Sequence, residues 1–177
     1  EKLALKMIGI LTLIIISGLL AILYGYVVGR QILSASPGNL KMREIASAIQ
    51  EGARAYLNRQ YKTIAVVGII VLVIVSYFFS LLVGLGYFIG AFLSGVAGYV
   101  GMLISVKANV RTAEASRKSL QAGLTIAFKS GAITGLLVAG LALLAITIYY
   151  IILIKLEVDS REIINALVAL GFGASLI

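Results

Sequence analysis

TIAVVGIIVLVIVSYFFSLLVGLGYFIGAFLSGVAGYVGMLISV, residues 63–106, runs for 44 positions without a charged side chain. As one helix it would reach roughly 66 Å at about 1.5 Å per residue, twice the ~30 Å hydrocarbon core of a bilayer, so it divides into two antiparallel spans. Glycine tolerates turns that other residues resist, which places the division at Gly84-Leu85-Gly86 and the spans at 63–84 and 87–106. Working outward, Lys62 and Lys107 close the stretch, and each opens a segment rich in cations. Beyond those segments lie two more uncharged runs, 7–28 and 130–154, each long enough to cross. Thirteen of the 22 residues in 7–28 are Ile, Leu or Val, which favours insertion by roughly 4 to 8 kcal/mol.

A fifth apolar run, 163–177, follows Asp159, which with Glu162 three residues on reads as an N-cap and its capping-box partner. Fifteen residues reach only about 22 Å. This suggests either a re-entrant or interfacial helix or a span cut short; the unpolar ending Ser175-Leu176-Ile177 favours the second and a fragment of a longer protein. The expected fold is therefore all-α: a single polytopic membrane domain over 1–177, with four complete spans and an incomplete fifth.

Composition agrees. With 61% hydrophobic and 12% charged residues and a mean hydropathy of +1.09, the chain lies far from a soluble globular protein, where about a quarter of residues are charged. The net charge of +8 does not point to nucleic acid, because the cations border apolar runs instead of covering a water-exposed domain. Without Cys or His, disulfides, thiolate chemistry and imidazole relays are excluded within this chain. Glu1 in place of Met suggests a processed or trimmed start.

Eleven of the fifteen Lys and Arg residues fall between Arg30 and Lys62 or between Lys107 and Lys129. The positive-inside bias makes 29–62 and 107–129 cytoplasmic, with the N-terminus outside and the fifth helix running inward. Tyr24, Tyr26, Tyr56, Tyr61 and Phe128 then form an inner aromatic belt, and Tyr77, Tyr87, Tyr149 and Tyr150 an outer one. The cell membrane is the expected location.

The cytoplasmic segments are themselves helical in pattern. Met42, Ile45, Ala46, Ile49, Ala53, Tyr56 and Leu57 mark one face of a helix that continues into the second span, after a turn and cap at Ser36-Pro37-Gly38-Asn39. Residues 108–118 extend the third span, and Gly123 is read as the break before the fourth. Glu51 with Arg54, Arg111 with Glu114, and Glu114 with Lys118 have the spacing of helix-surface ion pairs; the first two pairs also admit a catalytic reading. The cytoplasmic cations follow from topology, and they also suit phosphate or anionic headgroups.

No ionisable residue lies within the first four spans, so these carry no proton relay or ion-binding carboxylate. They carry ridges of small residues at i+4 spacing: Ser17, Ala21, Gly25 and Gly29; Gly86, Gly90, Ser94 and Gly98; Gly131, Gly135 and Ala139. Such ridges let helix backbones approach closely, or line a ligand-facing wall.

Three segments, IASAIQEGARAYLNRQYKTI (45–64), ANVRTAEA (108–115) and AFKSGAITGL (127–136), resemble in order and separation the N-terminal region of the membrane-bound, ion-pumping inorganic pyrophosphatases. The resemblance implies a homodimer whose subunits have many more helices and hydrolyse pyrophosphate with magnesium, some with potassium or sodium, to move protons or sodium ions outward. It implies that the first four helices belong to an outer ring and the fifth to the inner ring that holds the site. It also implies that the partners of this chain are the rest of its own polypeptide, a second subunit, the bilayer and pyrophosphate. The family's Thr-Lys and spaced Asp residues that hold magnesium pyrophosphate have no counterpart in 1–177. No catalytic, cofactor-binding or metal-binding residue is therefore assigned, and the chain alone is expected to be a scaffold without hydrolytic activity. The alternative is a non-enzymatic small membrane transporter or assembly subunit.

Overall fold

The computed structural model describes residues 2–176; Glu1 and Ile177, the ends of the sequence reading, lie outside the described residues. Five helices follow one another: α1 (Lys2–Ser34), α2 (Leu40–Phe78), α3 (Leu81–Ser116), α4 (Leu120–Lys155) and α5 (Ser160–Ala174). The first four are long and apolar enough to cross a membrane. At 36 residues, α3 measures about 54 Å, so it outruns the hydrocarbon core and continues into the headgroup and aqueous layers. The expected continuity of 42–57 with the second span is borne out, since α2 is one uninterrupted helix of 39 residues.

Both turns on which the sequence reading relied for hairpins lie elsewhere. The division of 63–106 falls at Phe79 and Ser80 instead of Gly84-Leu85-Gly86, because Ser80 is the N-cap of α3 and its hydroxyl accepts from the Val83 amide. Ser119 does the same for α4 by accepting from Ala122, so the break before the fourth span is not at Gly123. The glycines serve packing. A Cβ on Gly84 would strike Ser76 Oγ of the preceding helix, and one on Gly123 would strike Ser116 Oγ in the same relation. Each hairpin is thus a capping serine followed four residues later by a glycine that makes room for a second serine.

The other caps follow the sequence more closely. Asn39 Oδ1 accepts from the Met42 amide at 3.0 Å, after a turn in which Gly38 takes φ +82°. Asp159 caps α5 by accepting from the Arg161 amide, and the helix opens at Ser160 instead of Ile163. At the end of α4, the Val158 amide bonds the Leu153 carbonyl and the Glu157 amide the Ile154 carbonyl, with Glu157 at φ 53°. This is a Schellman closure with glutamate where glycine is usual.

The helices pack around α3. It meets α5 and α4 extensively and α2 along one edge, while α1 packs chiefly on α4 and touches α3 only lightly. Among the described residues α1 and α2 do not pack on each other, although they are consecutive in the chain. One core, with Val83, Tyr87, Ala145, Tyr149, Leu153, Ala166 and Leu170, joins α3, α4 and α5; a second, with Val28, Ile32, Ala108 and Ile133, joins α1, α3 and α4 at the other end.

Small residues set these contacts, though not always the ridges expected. On α3, a Cβ at Gly86 or Gly90 would collide with the Ala166 or Leu170 carbonyl of α5, and one at Gly173 would collide with the Tyr87 carbonyl of α3. Between α1 and α4 the close pair is Gly18 and Gly140: a Cβ on Gly140 would stand 2.9 Å from the Gly18 carbonyl oxygen. Gly25 and Gly29 make only ordinary contact with Ile133. Gly131 and Gly135 face open space, so their ridge is not an interface among the described residues.

Three tyrosines expected in the aromatic belts turn inward. Tyr87 and Tyr149 are buried, and Tyr61 is half-buried between α2 and α3. Helix-to-helix contact supplies their apolar environment in place of lipid. Tyr24, Tyr26, Tyr56, Tyr77 and Phe128 remain exposed.

Candidate functional site

Where the long helices leave the apolar layer, Arg111 of α3 ties three elements together. Its Nε donates to the Ala35 carbonyl at 3.1 Å, Nη2 to the Leu33 carbonyl at 2.9 Å and Nη1 to the Lys107 carbonyl at 2.7 Å. The last carbonyls of α1 have no partner within their own helix, and a guanidinium satisfies them while its charge complements the helix's negative end. Arg111 is therefore not paired with Glu114. Glu114 bonds Arg117 at 3.0 Å, so neither its expected pair with Arg111 nor that with Lys118 forms. Glu51 and Arg54 form no ion pair among the described residues, and Lys41 with Glu44, at 3.0 Å, is an exposed pair the sequence reading had not marked.

Beside Arg111 lies a cavity of about 350 Å³ bounded by Leu33 and Pro37 from the end of α1 and its connection, by Arg43, Ala46, Ser47 and Gln50 from α2, and by Lys107, Val110 and Arg111 from α3. Among the described residues three cations line it and no carboxylate does. Arg43 spends its Nε on the Gly38 carbonyl at 3.1 Å, which leaves its terminal amino groups free to meet a ligand. In the sequence these cations were separate topological marks. Their convergence depends on the 35–39 connection passing beneath α3, which no spacing within one helix reveals.

The face of α2 is also narrower than its apolar pattern suggested. Ala46 and Leu57 are buried and Met42 and Ala53 half-buried, whereas Ile45, Ile49 and Tyr56 are exposed. Further along, Tyr61 donates to the Gly95 carbonyl at 3.0 Å and meets Tyr99 edge-on at 5.4 Å. Beyond it an apolar groove of about 490 Å³ opens between α2 and α3, with Tyr61, Gly68, Leu72, Tyr87 and Phe92 among its walls. The buried Tyr87 hydroxyl beside this groove has no hydrogen-bond partner among the described residues. Tyr149, by contrast, donates to the Leu82 carbonyl at 2.5 Å and joins α4 to α3.

The acidic side chains fall into two groups at opposite ends of the bundle. Glu44, Glu51 and Glu114 lie at the end of the bundle that carries the 35–39 connection, while Glu157, Asp159 and Glu162 lie at the opposite end. Among the described residues no three Asp or Glu side chains gather closely enough to hold a metal.

Comparison with known proteins decides the lineage. The profile of the family described as inorganic H+ pyrophosphatase matches residues 19–177. This chain belongs to the inorganic H+ pyrophosphatase family. It is 44% identical over 164 residues to a K+-insensitive pyrophosphate-energized proton pump of Methanosarcina mazei, an alignment covering 92% of the chain and 23% of that protein. It is 39% identical over 161 residues to a K+-insensitive pyrophosphate-energized proton pump of Moorella thermoacetica, covering 90% of the chain and 24% of the relative. A putative K+-stimulated pyrophosphate-energized sodium pump of Bacteroides thetaiotaomicron is 40% identical over 147 residues, covering 80% and 20%. The chain thus spans about a quarter of the length of the curated pyrophosphatase relatives it matches, within their N-terminal portion. The four long apolar helices and these relatives together make it a multi-pass membrane protein.

Proposed function

We propose that this chain forms outer-ring membrane helices of a pyrophosphate-energised pump that couples pyrophosphate hydrolysis to proton or sodium transport. The observation that carries this reading is the family match over 19–177, together with relatives named as pumps of both ions. The α3–α5 crossing supports a scaffolding role. With Gly86, Gly90 and Gly173 each facing backbone across the interface, α5 is held in one register against the outer helices.

In this reading no residue of the chain touches the substrate or its magnesium ions; those groups belong to other parts of a subunit of the relatives' length, which works as a homodimer in the cell membrane. The end bearing Arg43, Lys107 and Arg111 is cytoplasmic, and the N-terminus lies outside. The test is to reconstitute the full-length protein in liposomes and supply magnesium pyrophosphate from the cytoplasmic face. Pyrophosphate should disappear as protons or sodium ions accumulate, with parallel runs with and without potassium reporting its requirement. Hydrolysis without ion movement, or none at all, would overturn the assignment. Glu51→Gln and Glu114→Gln should turn over substrate at the wild-type rate, and a cysteine placed at Arg117 should be labelled only from the cytoplasmic side.

A further inference from the structure

The cavity between the ends of α1, α2 and α3 brings Arg43, Lys107 and Arg111 together with the Ser47 hydroxyl and the Gln50 amide. Lys107 is half-buried, and none of the three cations has a carboxylate partner among the described residues. A cation withdrawn from water without a counter-charge is costly, and an anion entering the cavity would relieve that cost. Arg111 also retains unused N–H groups on both terminal nitrogens, since each donates a single bond to a carbonyl.

Depth identifies the anion. Lys107 lies about 40 Å along α3 from its start at Leu81, and a bilayer with its headgroups measures about 40–45 Å. Lys107 is also the first charge after the uncharged run 63–106, so the cavity opens where the hydrocarbon layer gives way to phosphates. On α1, Leu33 stands just beyond Arg30, the cation that ends its own uncharged run. Two helices of different register therefore place the cavity at the same level. Leu33, Pro37, Ala46 and Val110 give it an apolar floor against which the glycerol and upper acyl segments of a lipid can lie.

We propose that this cavity binds the phosphate of an anionic phospholipid headgroup, clamped between Arg43 and Lys107 with Ser47 and Gln50 donating hydrogen bonds. Arg111 contributes its charge while holding α1, so an occupied cavity couples the lipid to the α1–α3 joint. Basic pockets between membrane helices are suited to such headgroups, with each cation near the surface strengthening the attraction. The inference rests on this geometry and is independent of the pump reading.

The test uses the full-length protein, stripped of lipid in a neutral detergent and titrated with phosphatidylglycerol or phosphatidylcholine while bound lipid is counted by native mass spectrometry. Wild type should prefer phosphatidylglycerol. Lys107→Gln and Arg43→Gln should each weaken its binding about fivefold. Lys118→Gln, which removes a cation outside the cavity, should bind like wild type. Arg43→Lys keeps the charge and should bind close to wild type, which separates loss of the site from loss of the fold. Equal weakening in Lys118→Gln, no preference for the anionic lipid, or loss in Arg43→Lys as deep as in Arg43→Gln would overturn the proposal. Inorganic phosphate at millimolar concentration should leave the lipid bound; if it displaces the lipid, the cavity is a free-phosphate site and the lipid assignment falls.

Discussion

Two glycine ridges with the same i+4 spacing have opposite fates in this molecule. On α3, Gly86 and Gly90 press against the backbone of α5, which returns the contact through Gly173; on α4, Gly131 and Gly135 face open space. Small residues make close approach possible, but a partner helix has to arrive at that face. The Ser119 cap and the 160–174 helix decide which face is met: they turn α4 toward α1 through Gly140 and bring α5 back along α3. A ridge in sequence is therefore a permission, and the connections determine whether it is used.

Substitutions can break that contrast, beginning with the most severe. Gly90→Leu should lower the stability of the chain in lipid by about 3 kcal/mol or more, because the new side chain meets the Leu170 carbonyl and the Ala174 amide instead of a movable side chain. Denaturant-titrated unfolding in bicelles measures it, and near-native stability would mean that α5 does not cross α3 there. Gly173→Ala adds one methyl against the Tyr87 carbonyl and should cost about 1–3 kcal/mol in the same assay. Tyr149→Phe removes the hydroxyl that bonds Leu82 and should cost about 1 kcal/mol, with the core shape retained. The smallest effect has the opposite sign: Gly135→Ala should stabilise by about 0.5–1 kcal/mol, since alanine suits a helix better than glycine and nothing stands in its way. A loss as large as that of Gly173→Ala would show that another surface covers the α4 ridge and would end the contrast.

The parts legible from sequence were those fixed by neighbours along the chain. Asn39 and Asp159 announced their caps through local hydrogen bonding, and the uncharged runs gave the number of long helices because bilayer thickness sets a length that composition reveals. Ser80 went unnoticed because it sits among Phe and Leu, whereas Gly84 looks like a break; the capping hydroxyl and the space for Ser76 become apparent only once the hairpin closes. Arg111 illustrates the other limit. Its spacing suggests Glu114, but the free carbonyls of α1, more than 70 positions earlier, draw its guanidinium away, and Glu114 turns to Arg117 instead. The basic cavity follows from the same long-range event and was equally hidden.

The placement of α1 also has a consequence during synthesis. Its close partner Gly140 lies 122 positions after Gly18, and α2, the next helix made, offers it no contact. At about 5–20 residues per second, roughly 6 to 24 s pass between the emergence of the two glycines from the ribosome. Until α3 brings Ala108 and Arg111 to its far end, α1 must persist in lipid as a solitary helix, held by its own hydrophobicity, and its main partner α4 arrives later still.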